Sequence, residues 1–347
     1  MFTKIKNKLD KELHKFVGDI NKSYSLSRLS PVLFLHIKDF ILRKGKRVRP
    51  ILFIIGYLGF AKNPARGLFK SAISLELLHD FMLVHDDIID KSELRRGKPS
   101  MHRMLNNYLK RYKNIKFNGQ DLAIAAGDVM YAMAIEAFLS IETEAKRKEE
   151  ALKNFIRAAV YTGSGEFIEL LLYSTKDIRD IKKKDLVKIY DLKTAHYTFA
   201  SPLATGAILA GAGREDIDRI SRYGMCLGRA FQIKDDIIGM FSNEEETGKP
   251  MLADLKEGKK TILIWQAYRK ACLGDRKIIK RIFAKKDTKK KDLLAMRKIV
   301  DDSGALDYAR AEIKRLLRKS YAILAPCRIN KKYKDLLNAY SARLLEI

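Results

Sequence analysis

The sequence predicts an all-α protein, on three observations. Apolar residues recur at three- and four-residue spacing through most of the chain, as in "LFKSAISLELLHDFMLVHDDIID", "LAIAAGDVMYAMAIEAFLSI" and "IDRISRYGMCLGRAFQIKDDIIGMF", the period of helices with a buried face. Convincing period-two alternation is absent. Of 347 residues 47% are apolar, with only 20 Gly and 7 Pro, so the chain can bury a large core and is neither disordered nor fibrous.

The N-terminus, "MFTKIKNKLDKELHKF", alternates Lys with apolar residues at helical spacing and predicts an amphipathic helix over about residues 1–20. It has no apolar signal core and no small-residue cleavage site. The longest uninterrupted apolar stretch, "PILFIIGYLGFA" from Pro50 to Ala61, falls short of the roughly 20 residues that span a bilayer, so no transmembrane segment is expected. Later breaks fall at "RKGKRVRP", "KSELRRGKPS", "KRYKNIKFNGQ", "STKDIRDIKKKD", "GAGRED" and "SNEEETGKPMLADLKEGK", each rich in Gly, Pro, Asn or charge. They separate about ten or more helices, without a long linker or a fixed-period repeat. A single domain over 1–347 is the economical reading, with the motifs between about 42 and 267. Beyond Ala267 no motif is legible, and "KDTKKKD" reads as a loop.

Cys226, Cys272 and Cys327 are far apart and show no CxxC spacing, which suggests neither a disulfide framework nor a zinc site. A reducing cytoplasm is the expected compartment, and the final "LLEI" carries no prenylation cysteine. The net charge of +27 points to anionic partners. Runs such as "IKKKD" and "AKKDTKKKD" read as solvated loops or helix ends. No zinc finger, RRM or homeodomain signature is present, and pairs of acids would oppose a phosphate backbone, so no nucleic acid is expected.

Two acidic constellations carry chemistry. In "DDIID", Asp86 and Asp90 are four residues apart, so a helix stacks their carboxylates on one face with Asp87 about 100° around the axis. Such carboxylates repel one another until a divalent cation joins them, and all-oxygen donors suit Mg²⁺ completed by water and substrate phosphate. In "FQIKDDIIGMF", Gln232, Asp235, Asp236 and Gly239 form one polar stripe on an apolar helix, where buried carboxylates cost too much unless paired. The basic loops "RKGKRVRP", "RRGKP" and "EETGKPMLADLKEGKKT" combine Gly with Lys or Arg, which lets the backbone approach phosphate oxygens that the cations bind. None has P-loop spacing.

Six segments in order, "GKRVRP", "LELLHDFMLVHDDIIDKSELRRGKPSMH", "AAGD", "LKTA", "QIKDDIIGMF" and "TGKPMLADLKEGKKT", resemble the trans-prenyltransferases, or short-chain isoprenyl diphosphate synthases. The resemblance spans roughly residues 42–267. It implies a helical bundle around a deep central cavity, the isoprenoid synthase fold, with the two acidic helices facing across its mouth. It also implies a homodimer and three Mg²⁺ ions on Asp86, Asp87, Asp90, Asp235 and Asp236. The allylic diphosphate would be bound by Arg95, Lys193 and Thr194 of "LKTA", Gln232, Lys249 and Lys259. Isopentenyl diphosphate would be held by Gly45, Lys46, Arg49, His79 and Arg96. Outside these motifs His79 would read as a core histidine, and Lys193 and Lys259 as surface lysines. Many family members have a third aspartate where Gly239 stands.

Family resemblance also makes the residues four and five before Asp86, Met82 and Phe81, the floor that limits product length. On a helix they lie roughly 6 to 8 Å from Asp86 along the axis. One aromatic at the fifth position, with no insertion in "DDIID", is similar to archaeal-type geranylgeranyl diphosphate synthases, so a C20 product with some C15 is expected. Farnesyl and longer products are the alternatives. A class I terpene cyclase has no need of "GKRVRP" and "RRGKP", and a regulatory subunit would be expected to lose the aspartates. The basic surface is compatible with peripheral contact with anionic membranes.

Overall fold

The computed structural model describes residues 1–241, 253–285 and 287–345. Those residues are helical almost throughout, as the apolar periodicity requires, and form two compact units. The first comprises Met1–Leu152 with Ile208–Gly211, and the second Lys153–Ala207 with Ala212–Ile347. A short ribbon, Leu94–Arg95 against Lys98–Pro99, departs from the all-helical expectation.

In the first unit, helix Phe2–Tyr24 buries Leu9, Leu13, Phe16, Val17 and Ile20. Pro31–Ile41 begins with Pro, whose fixed φ suits a first turn, and Ser30 Oγ accepts from the Leu33 N–H at 3.3 Å. Val48–Leu58 is buried from Pro50 to Tyr57. Gly119–Leu139, legible in the sequence as a helix, is the one helix among the described residues long and apolar enough to cross a bilayer; its apolar run is interrupted, so the criterion of uninterrupted stretches passes over it. It starts at Asn118 and Asp121, which cap each other's backbone. Its small buried residues Ala123, Ala126, Ala134 and Ala137 let it pack closely on helix Ser74–Ile89, as a core helix does.

In the second unit, helix Arg214–Phe241 packs against Ala305–Leu324 and against the segment Asp191–Ala200. Asp191–Ala200 is wound as a π-helix, a rare form that recurs at functional sites. Among the described residues, the region beyond 267 supplies four more helices. Tyr223, fully buried, donates from its hydroxyl to Leu337 O at 3.1 Å and ties the last of them down.

The lysine runs have structural work. "KDTKKKD" is only partly a loop, since Lys290–Asp302 is helical and the Lys289 N–H donates to Asp292 at 2.9 Å. In "IKKKD" the Lys182 N–H likewise donates to Asp185 at 3.0 Å at the start of Lys183–Tyr190. In both runs Asp satisfies an orphan backbone donor of the first turn, which is why an acid closes each basic triplet.

Candidate active site

Helix Ser74–Ile89 carries more acid than its exposed end suggests. Glu76 and Asp80, one turn apart, and Asp87 are all buried. Buried carboxylates need partners, and arginines from two loops provide them. Arg47 Nη1 lies 2.6 Å from Glu76 and its Nε 2.9 Å from Asp10. Arg96 reaches Glu76 at 3.1 Å and Asp80 at 2.9 Å. Arg95 pairs with Asp87, its Nε 2.8 Å from Oδ1.

The hairpin explains how neighbouring arginines serve different acids. Leu94–Arg95 pairs with Lys98–Pro99, and the residues between, Arg96 and Gly97, both have positive φ (55° and 73°). This is the turn that suits the strands' twist, and Gly is its usual second residue. Arg43 Nη1 donates to Arg95 O at 3.1 Å and Lys98 Nζ to Asp39 at 2.9 Å, which fix the hairpin to helix Pro31–Ile41 and the residues just after it.

Four arginines act on one histidine. Burial holds His79 well below its usual pKa, and the fields of Arg49, Arg96, Arg95 and Arg47 lower it further. His79 is therefore neutral near pH 7 and adds no charge to the arginine cluster. The predicted residues Gly45, Arg49, His79, Arg95 and Arg96 all lie in this unit, while Lys46 is exposed. Asp86 and Asp90 are half-buried at the helix end.

On the same helix Met82 is buried and Phe81 half-buried. The Phe81 ring lies 4.7 Å from His85 and 5.1 Å from Tyr131. A Cβ on Gly127 of "AAGD" would come within 2.5 Å of His85 Cε1, so glycine there admits the His85 ring.

In the second unit Lys193, on the π-helix, pairs with Glu166 and Glu169. Burial would lower its pKa, but the two carboxylates raise it, so it stays charged. Thr194 donates to Gln232 Oε1 at 2.5 Å, and Gln232 Nε2 donates to Asp236 Oδ1 at 3.1 Å. The Tyr190 hydroxyl donates to Asp236 and accepts from the Ile262 N–H at 2.9 Å. Asp236 is thus a buried acceptor, whereas Asp235 is exposed. Gly224 and Gly228 let the π-helix pack closely on helix Arg214–Phe241: a Cβ on Gly224 would approach Ala200 Cα to 2.6 Å, and one on Gly228 would collide with Ala195.

Lys259 lies 2.5 Å from Glu257, and Lys249 falls outside the described residues. Sequence reasoning missed Arg47, Glu76, Asp80, Glu166, Glu169, Tyr131 and Tyr190. The acids at 76 and 80, and at 166 and 169, have helical spacing inside apolar runs and were legible by the logic applied to Asp86 and Asp90. The tyrosines had no such signal.

Among the described residues no three His, Cys, Asp or Glu side chains converge to hold an ion by themselves. Asp86 and Asp90 nevertheless fit a hard divalent cation that takes water and substrate phosphate for its remaining positions.

A family model described as polyprenyl synthetase matches residues 31–300. The chain belongs to the polyprenyl synthetase family. As a member it is a trans-prenyltransferase, and the all-α expectation holds. It is 33% identical over 302 residues to a geranylgeranyl diphosphate synthase of Sulfolobus acidocaldarius, covering 86% of this chain and 85% of the relative. It is 35% identical over 300 residues to a geranylfarnesyl diphosphate synthase of Aeropyrum pernix, covering 85% and 87%. Among solved structures, the geranylgeranyl pyrophosphate synthase of Corynebacterium glutamicum complexed with isoprenyl diphosphate and magnesium superposes with a TM-score of 0.90. That alignment has 27% identity and covers 100% of this chain and 99% of the other.

Proposed function

We propose that this polyprenyl synthetase condenses isopentenyl diphosphate with allylic diphosphates to an all-trans C20 diphosphate, with some C15. The observation that carries it is the arginine set around neutral, half-buried His79, Arg49, Arg96, Arg95 and Arg47, beside a helix end bearing Asp86 and Asp90. A cyclase with one diphosphate substrate has no use for a second cationic site.

Arg49, Arg96, Gly45, Lys46 and His79 bind the homoallylic diphosphate, His79 as a neutral hydrogen-bonding group. Arg95, Lys193, Thr194, Gln232, Lys249 and Lys259 serve the allylic diphosphate, and a fixed array of cations stabilises charge as it develops on the leaving group. Mg²⁺, three ions by family resemblance, would be held by Asp86, Asp87, Asp90, Asp235 and Asp236 and would neutralise the departing diphosphate. Asp87 would trade its Arg95 contact for that role. The reaction requires an apolar, water-poor cavity, because water would quench the allylic cation. No residue is assigned as general base. Phe81 and Met82 set the floor, and Tyr131, against Phe81, joins them. The two sets of residues act on one reaction, in one functional domain.

A homodimer is supported by helix Ala145–Thr175, where Ile156, Val160, Phe167 and Leu171 share one face and are all exposed. The protein acts in the cytoplasm, and its +27 charge favours peripheral contact with anionic membranes. The test is product analysis with radiolabelled isopentenyl diphosphate and each of the C5, C10 and C15 allylic diphosphates, with and without Mg²⁺. A Mg²⁺-dependent C20 product is expected. Absence of condensation by folded protein would reject the assignment.

A further inference from the structure

The runs "IKKKD" and "TKKKD" open helices, and Ile181 of the first is buried. Residues 110–117, "KRYKNIKF", are built differently. They carry four cations and no acid, and every residue is exposed. Tyr112, Ile115 and Phe117 stand in water at 49%, 40% and 47% exposure, alternating with Lys110, Arg111, Lys113 and Lys116. Exposed aromatic and aliphatic side chains interleaved with cations are costly on a surface that meets only water.

The segment is held at both ends. Arg111 lies over the Tyr108 ring, 4.2 Å from its centroid, and its Nε donates to Tyr108 O at 3.1 Å. At the other end the Gly119 N–H donates to Asn106 Oδ1 at 2.7 Å. Behind the segment lies a cavity of about 420 Å³, walled by Val32, Leu33, Leu105 and Leu109 and reaching Ile115 and Phe117. Polar groups in its wall have partners already: Ser30 accepts from Leu33, His36 Nδ1 donates to Val32 O at 2.8 Å, and the Tyr108 and Tyr112 hydroxyls bond at 3.0 Å. The cavity therefore offers hydrocarbon an apolar lining.

We propose that Lys110–Phe117 is a docking surface for a bilayer with anionic headgroups. The cations meet lipid phosphates, Tyr112, Ile115 and Phe117 enter the acyl boundary, and the cavity accepts one acyl chain. Positive charge beside exposed aromatics is the complement of such an interface. The proposal deepens the membrane contact given under Proposed function and rests on it.

The test is cosedimentation of full-length protein with phosphatidylcholine vesicles, alone or with about 30% phosphatidylglycerol, at roughly physiological salt. Wild type should bind only the anionic vesicles. Ile115→Ser with Phe117→Ser, and Lys113→Glu with Lys116→Glu, should each weaken binding at least about tenfold, with turnover of soluble substrates unchanged. The control Lys290→Glu with Lys291→Glu should weaken it far less. Phe117→Trp should be quenched by brominated lipid, against a background of Trp265, the only native Trp and buried.

No binding by wild type would reject both the membrane reading and the surface. Equal weakening by the control would leave a diffuse charge effect and reject the surface alone. Wild-type binding by the loop variants would reject it too. A change in sedimenting mass in the Ile115→Ser, Phe117→Ser protein, with vesicle binding intact, would show instead an interface between copies.

Discussion

Arg95 closes on Asp87, Nε 2.8 Å from Oδ1, so one aspartate of "DDIID" is a buried ion-pair member while Asp86 and Asp90 stay half-open. The three carboxylates are therefore not equivalent. Asp87→Asn would strand a largely buried guanidinium and cost about 3 kcal/mol of stability, whereas Asp90→Asn would cost little. Both should lose most turnover. Thermal unfolding beside initial rates separates them, and equal melting temperatures would contradict the distinction.

Because Asp86 and Asp90 need substrate oxygens to complete a cation site, Mg²⁺ alone should barely change the melting temperature. Mg²⁺ with an allylic diphosphate should raise it by several degrees, as ligand at about 100 times its Kd contributes roughly 2.7 kcal/mol. EDTA should abolish turnover without unfolding the protein. A large shift with Mg²⁺ alone in differential scanning fluorimetry would point to a preformed metal site.

Burial and Arg157 lower His196 to about 4, and its ring stands 4.8 Å from Tyr161. The unfolded chain takes up this proton near pH 6.5 and the folded chain only near 4. Its stabilising contribution is complete above pH 6.5 and falls as pH drops through that window, by at most about 1.4 kcal/mol per unit. His196→Gln should flatten the loss between pH 6.5 and 4.5 in urea titrations. An unchanged slope would show that the ring titrates normally.

Phe81→Ala should lengthen the product beyond C20, and Tyr131→Ala should do so as well, since the rings lie 5.1 Å apart. Met82→Ala, on the stripe of Asp86, should have the smaller effect. Reversed-phase analysis of dephosphorylated products reads this directly. Unchanged length in both aromatic variants would place the floor elsewhere.

The helices, the two acidic motifs and the polar stripe of the second one were legible in the sequence because they depend on helical period, a local property. The turn at Arg96 and Gly97 was half legible: "RRG" reads from sequence as a basic loop, and the structure shows that its glycine closes a hairpin. The fold class, the position of the acidic motifs and the cationic loops around them follow from local residue pattern. Which charges pair depends on tertiary packing. Arg47 and Arg96 on Glu76 and Asp80, Arg95 on Asp87, and Lys193 on Glu166 and Glu169 are chosen by burial, which makes an unpaired charge costly and selects partners by distance in space. The same holds for the π-helix at Lys193 and Thr194, whose fit against Gly224 and Gly228 depends on a surface that a local pattern does not encode.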